Sequence, residues 1–260
     1  IGNMTRVATD EKGGQTFEEG DEISVYAWTG DATVAPETRE RVVNNAINKL
    51  TNGSWVSTPQ MLWKNNRDKH YFIGVYPISA ISDLSAGEYT FDANKQTESD
   101  LLVAVNPDGL SYSADAQQTV PLTFTHVMAK LAVNLTYKNQ WGGIPTVEKV
   151  VVGNAAKEAT INYLTKVVTP STTAKEDFSL PEITENTKYV SVIIPQEEVT
   201  QLTIVIGGKN FVYDNGTPFK LESGKITTVN LEVGRDEIKL GDVKITNWED
   251  GSTFSGEALN

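Results

Sequence analysis

The chain has 260 residues, 39% of them hydrophobic and 22% charged, and 34 acidic against 22 basic side chains leave a net charge of −12. That length can bury a sizeable core in one large domain or two small ones. The acidic balance, with no clustered Lys and Arg, argues against nucleic acid and anionic membrane surfaces as partners. There are no cysteines, which excludes disulfides, thiolate nucleophiles and Cys-based zinc sites. No apolar run reaches the roughly 18 residues that a membrane helix needs.

Ile1 to Gln15 is polar and contains glycine, a loose segment or an edge strand. Ile23, Val25 and Ala27 then alternate with Ser24, Tyr26 and Trp28, the mark of a strand entered through a turn. Residues 37–50 are open to two readings. Val43, Ala46, Ile47 and Leu50 fall at helical spacing behind Pro36, while Asn44 and Asn45 weaken a helix. Asn52-Gly53 signals a tight turn into a short strand at 54–56.

Further strands are expected at 71–76, 88–91 and 101–105, the last ending in a Pro-Asp-Gly turn at 107–109. The polar stretch 115–119 reads as a linker. Leu122 to Tyr137 carries the longest alternating pattern. Leu122 and Phe124 point one way. From Val127 the parity changes, and Val127, Ala129, Leu131, Val133, Leu135 and Tyr137 follow. Such a change means either a bulge or a passage from one sheet to another. Beyond it, strands are expected at 147–152, 159–168, 189–194, 202–206, 211–213, 226–233 and 243–248. Gly207-Gly208 reads as a hairpin turn, and residues 249–260 read as a polar tail. Leu84 to Thr90 and Leu221 to Thr227 are weakly alike. Many short strands between turn signals give an all-β sandwich architecture.

Catalytic chemistry finds no foothold. His70 and His126 lie in no HExxH pattern, and no GxSxG or SxxK accompanies them. His126 sits where the long pattern changes face and reads as a half-buried side chain bonded to backbone. Glu18, Glu19 and Asp21 form a local acidic group. They suit a solvated turn better than calcium, because their spacing is not that of an EF-hand loop. A glycosidase carboxylate pair meets only in the fold and stays open at this point. Trp28, Trp55, Trp63, Trp141 and Trp248 suit core or strand-edge packing better than a sugar-stacking platform. Asn3, Asn52, Asn134 and Asn215 begin Asn-x-Ser/Thr sequons. No catalytic, metal or cofactor-binding residue emerges, and the residues read as a binding or structural protein rather than an enzyme.

Several ordered stretches carry a resemblance. They are FEEGDEISVY at 17–26, Trp55 with Met61-Leu62-Trp63, HYFIGVYP at 70–77 and SDLLVA at 99–104. FTHVMAKL within 122–131, GKITTVNL at 224–231 and ITNW at 245–248 complete the set. Together they resemble the fimbrillin-like family of fimbrial and fimbrial-tip proteins of Bacteroides-type anaerobes, over about residues 5 to 250.

The resemblance implies two tandem transthyretin-like β-sandwich domains, assigned here to residues 1–118 and 119–260, and a strand rather than a helix at 41–50. It implies export as a lipoprotein to the outer membrane and cell surface, with the anchor upstream of Ile1. That fits a chain whose first residue is not Met. It implies a structural or adhesive fimbrial subunit that pairs with other subunits by donor-strand addition, after a protease cuts the N-terminus behind a basic residue. Arg6 is the candidate for that cut, and an ordinary edge-strand Arg is the alternative. The polar end at 249–260 departs from a donor strand and favours a tip or accessory subunit over a stalk subunit. An outer-surface glycan-binding sandwich is the second reading.

Overall fold

The computed structural model of the chain describes residues 7–9, 15–112, 119–214, 216–235, 237–248 and 253–257. Among them the chain forms 22 strands and two single 3₁₀ turns, Thr38–Glu40 and Asn139–Trp141. The first strands are β1 (Val7–Thr9), β2 (Gln15–Phe17), β3 (Glu22–Thr29), β4 (Val43–Thr51), β5 (Ser54–Thr58), β6 (Lys69–Tyr76), β7 (Gly87–Thr90) and β8 (Leu102–Ser111). The middle of the chain supplies β9 (Thr119–Thr123), β10 (Thr125–His126), β11 (Ala129–Tyr137), β12 (Val147–Ala156), β13 (Glu158–Asn162), β14 (Val167–Pro170) and β15 (Lys175–Ser179). The rest are β16 (Glu182–Thr184), β17 (Lys188–Ile193), β18 (Gln201–Ile206), β19 (Lys209–Asp214), β20 (Lys225–Val233), β21 (Ile238–Asn247) and β22 (Thr253–Glu257). The fold is all-β, as expected.

A six-stranded sheet, β10-β8-β6-β3-β4-β5, dominates the first half. Its central strands are buried on both faces, so they read as apolar runs rather than clean alternations. In β3, Ile23, Val25 and Ala27 enter a smaller core, while Tyr26 and Trp28 enter a larger one. In β6, Phe72 and Tyr76 face the smaller core, and Ile73 and Val75 the larger. The smaller core is closed by residues of β9 and the turn after it. A five-stranded sheet, β16-β17-β11-β20-β21, and a four-stranded sheet, β15-β12-β18-β19, supply most of the larger core.

Two features cross the expected division at 118/119. β7 pairs with β13 and places Tyr89 opposite Ala159, and the larger core joins Trp28, Ile73 and Val103 with Leu131 and Val229. Residues 113–118, on the N-terminal side of the expected boundary, lie outside the described residues.

The parity change around Thr125 is a passage between sheets. β9 pairs with β22, β10 with β8, and β11 with β17 and β20. Val120, Leu122 and Phe124 fill the smaller core, and Val127, Met128, Ala129, Leu131, Val133 and Leu135 fill the larger. A one-step shift of the alternation therefore moves the chain from one core to the next.

Both expected hairpin turns form with left-handed residues at each central position. Asn52 and Gly53 have φ of 51° and 73°, and Gly207 and Gly208 have 59° and 73°. This is the twist that a two-residue hairpin demands.

Of the two readings of residues 37–50, the strand that the resemblance implied is the one that forms, over 43–51, while other expectations are corrected. A bulge at Asn45 (φ 58°) inserts one residue opposite Tyr26. The insertion sets Val43 and Ala46 on one face and so imitates helical spacing. The Pro-Asp-Gly at 107–109 lies within β8, where Gly109 (φ 65°) takes up a bulge against β6 and its N–H donates to Asn106 Oδ1 at 2.7 Å. Residues 159–168 form the β13–β14 hairpin, not one strand. The polar tail contains strand β22.

Candidate functional site

The site is built on β9. Its sequence, TVPLT, alternates, and the buried Val120 and Leu122 project into the smaller core with Thr119, Pro121 and Thr123 on the exposed side. Phe124 follows and is fully buried. Its ring passes over β6 at Gly74, where an added Cβ would lie 2.6 Å from Phe124 Cζ. Only a residue without a side chain lets the crossing chain approach that strand so closely. Phe17, at the end of β2, meets Phe124 and Trp55 edge-on at 5.2 Å and Tyr76 at 5.6 Å. Such T-shaped contacts add roughly 0.5–1.5 kcal/mol each beyond burial.

Both terminal segments pair with strands that border this core. β1 pairs with β2, with Val7 opposite Phe17. β22 pairs antiparallel with β9, from Thr253 opposite Thr123 to Glu257 opposite Thr119, and runs beside β5. Among the described residues, β22 is the strand paired with β9. Chemically this is a strand-accepting edge. Its backbone groups offer a five-residue ladder, while its apolar residues stay anchored below. The strand on it carries Gly256 between Ser255 and Glu257, a composition with low β-propensity.

A second constellation lies just past β9. The His126 ring stacks on Trp248, with centroids 3.7 Å apart and planes 12° apart. His126 Nδ1–H donates to Asp100 Oδ1 at 2.8 Å, and Nε2 is buried without a partner. The Lys130 ammonium sits 4.3 Å from the centre of the Trp248 ring. Burial holds the Lys130 pKa below its ordinary value, against the pull of the Asp100 charge. Trp248 N–H donates to Gly224 O, and Gly224 N–H to Met128 O, both at 2.9 Å. Gly224 has φ 66°, and a Cβ there would come within 3.1 Å of His126 O. The FTHVMAKL, GKITTVNL and ITNW stretches thus converge on one point in space.

Arg6 lies outside the described residues; the first described strand starts at Val7, immediately after it. Glu18, Glu19 and Asp21 serve a turn. Asp21 is buried and accepts the Glu18 N–H, while Glu19 accepts the N–H groups of Asn52 and Gly53. His70 is 1% exposed. It accepts the Lys64 N–H on Nε2, and its Nδ1 bonds Asp68 O, both at 3.0 Å. Burial lowers its pKa. Trp28 and Trp248 are buried. Trp55 packs on Phe17, Trp63 on His70 and Phe72, and Trp141 on Phe211 with its Nε1–H donated to Val233 O. Each tryptophan is thus committed to packing. Among the described residues no three His, Asp or Glu side chains gather as a metal site, and no helix is long and apolar enough to cross a membrane.

Sequence reasoning missed β22 and the partners of His126. Phe254 is the one signal for the strand, an aromatic among small and polar residues. The Asp100–His126–Trp248 group joins residues far apart in the chain and leaves no spacing signature.

Comparison with known proteins agrees with this architecture. No curated protein matches the chain. A candidate cell-adhesion protein from Bacteroides uniformis superimposes with a TM-score of 0.69 at 19% identity, covering 94% of this chain and 96% of that one. A second such protein, from Bacteroides ovatus, gives 0.65 at 18% identity, covering 90% and 89%. The tip fimbrial protein Mfa3 of Porphyromonas gingivalis, truncated at its C-terminus, gives 0.54 at 10% identity over 89% and 95%. At these identities the likeness is one of fold. The fimbrillin-like family model matches residues 5–248, nearly the whole sequence. This chain belongs to the fimbrillin-like family.

Proposed function

We propose that the protein is a structural or adhesive subunit of a surface fimbria, in tip or accessory position, that joins other subunits by β-strand addition at the β9 edge. The observation that carries the reading is the β9–β22 ladder: a short, glycine-containing strand pairs with an edge whose apolar residues, Val120 and Leu122, are buried in the smaller core. A replacement strand needs only backbone pairing to hold and suitable alternate side chains to be selected. Tip or accessory placement rests on β22 lying on its own chain, the state expected of a subunit that passes no donor onward. Two sandwich domains meeting at 118/119, transthyretin-like in kind, and a lipid anchor at the outer membrane upstream of Ile1 belong to the same proposal. No catalytic role is part of it.

N-terminal proteolysis enters as follows. A cut after Arg6 leaves β1 attached through β2, whereas a cut after Lys12 in the β1–β2 connection detaches β1. The test is limited digestion of the folded chain with Arg-specific and Lys-specific proteases, read by intact mass and unboiled gel electrophoresis. An Arg6→Ala chain serves as control. Oligomers that resist detergent, appear after cleavage and are absent from the control support proteolytic activation at Arg6. A chain that is cut cleanly and stays monomeric until a different fimbrial subunit is added supports the tip or accessory position. A cut chain that pairs with no subunit overturns the strand-addition reading.

A further inference from the structure

The C-terminal arm is held to the body in an unusual way. Of the β21 residues, all are exposed except half-buried Ile238. Leu240, Val243 and Ile245 share the core face with their ladder partners Leu231, Val229 and Thr227. They are nonetheless 37%, 42% and 37% exposed, because β21 is the outer strand of its sheet and the facing sheet ends at β19. Backbone pairing to β20 along one edge therefore carries most of this strand. At its end stands Trp248, 2% exposed, the one fully buried side chain in the described residues from 238 to 248. It is pinned by the His126 stack, the Lys130 ammonium and its backbone bond to Gly224. Five residues later, at Thr253, the chain enters β22 opposite Thr123, which lies three positions from His126.

We infer that Trp248 is a latch. Its burial on His126 holds the arm, β21 and β22, on its own chain and so keeps the β9 edge filled from within. Withdrawal of the ring frees the arm to leave that edge and so opens β9 to a strand from another subunit. The reasoning is local stability. A segment with few buried side chains opens with a small free energy, and removing a buried Trp is among the largest single changes available to it. Anchoring the chain beside β9 also gives the cis strand a high effective concentration over any strand in trans. The inference rests on the strand-addition reading of the β9–β22 ladder.

Hydrogen–deuterium exchange of the full chain tests it, comparing the native protein with Trp248→Ala, Trp248→Phe and a chain ending at Trp248. The latch predicts that Trp248→Ala speeds exchange in residues 238–247, 253–257 and 119–123, on the order of a hundredfold. Residues 129–137 in β11 should stay as protected as in the native chain, and Trp248→Phe should restore most of the protection. Unchanged exchange at 119–123 in Trp248→Ala overturns the latch. Equal loss of protection in β11 also overturns it, since Trp248 would then be an ordinary core residue. The underlying reading fails separately: if the shortened chain protects residues 119–123 as well as the full chain does, β22 does not cover β9, whatever Trp248 does.

Discussion

Gly74→Ala tests how the small core under β9 is built. Gly74 lies in the middle of β6, and a Cβ there would sit 2.6 Å from Phe124 Cζ and 3.1 Å from Leu122 Cδ1. Neither group has room to retreat, because both residues are fully buried and Phe124 also supports Phe17. Overpacking of this kind costs about 1–3 kcal/mol. Replacing glycine by alanine inside a strand returns roughly 0.5–1 kcal/mol of backbone entropy. The net is a destabilisation of about 1–2 kcal/mol, or a fall in Tm of roughly 3–6 °C for a chain of this size. Phe124→Leu alone should also destabilise, by opening a cavity. In the double variant the shorter side chain accommodates the methyl group, so the two effects should fall short of additivity by about 1 kcal/mol. Thermal unfolding of the four proteins measures this. A Gly74→Ala chain as stable as the native one, or a double variant with additive losses, refutes the claim that Gly74 exists to let Phe124 cross.

Acidification should weaken the protein through His70. Its pKa in the folded chain lies below the ordinary 6.5 because burial penalises the charged ring, so the unfolded chain binds the proton more readily. Its contribution is therefore complete above about pH 6.5 and is lost as pH falls from there towards the lowered value. A proton on Nε2 would also face the Lys64 N–H that it now accepts. Urea titrations between pH 7.5 and 5 should show this loss, and a His70→Gln chain should lack it. Arg41→Ala should cost about 3 kcal/mol, since the buried guanidinium donates to Ile81 O, Ser82 O and Asn44 Oδ1. Hydrogen exchange should quicken in residues 77–86, and unchanged exchange there would contradict the role given to Arg41. Gln96→Ala should cost about 1–3 kcal/mol in urea unfolding, because Gln96 Oε1 accepts the Val192 N–H on the stretch of β17 beyond β16; a neutral result would mean that water replaces the side chain.

Much of this fold is legible in the sequence where local chemistry and burial agree. Asn52-Gly53 and Gly207-Gly208 state their turns, and the shift of parity after Phe124 states a bulge or a change of sheet, of which the second forms. The reading fails where the backbone departs from regular pairing. The bulge at Asn45 turns a strand into a false helical spacing, and the bulge at Gly109 makes a continuing strand look like a turn. Val168 and Ile161 lie on two arms of a hairpin, and its turn at Lys166 (φ 62°) carries no glycine to announce it. The candidate site was legible only in part. Leu122 and Phe124 mark their own burial, yet β22 takes its place from tertiary pairing and is composed like a tail. Trp248 and His126 stand out as residue types, but their stacking depends on the sheet crossing that brings both to one point.

The absence of cysteine allows a direct test of the β9 edge. Thr123 is exposed and pairs with Thr253, and register partners in neighbouring strands come close enough for a disulfide. A chain with Thr123→Cys and Thr253→Cys together should close a disulfide within itself under mild oxidation. The same chain, treated with protease and mixed with a fimbrial subunit that supplies a strand before oxidation, should lose most of that 123–253 bond, as read by peptide mass. A bond that forms within the chain and is lost when another subunit's strand takes the edge is what strand addition at β9 predicts. Finding no bond within the chain would contradict both the ladder and the function built on it.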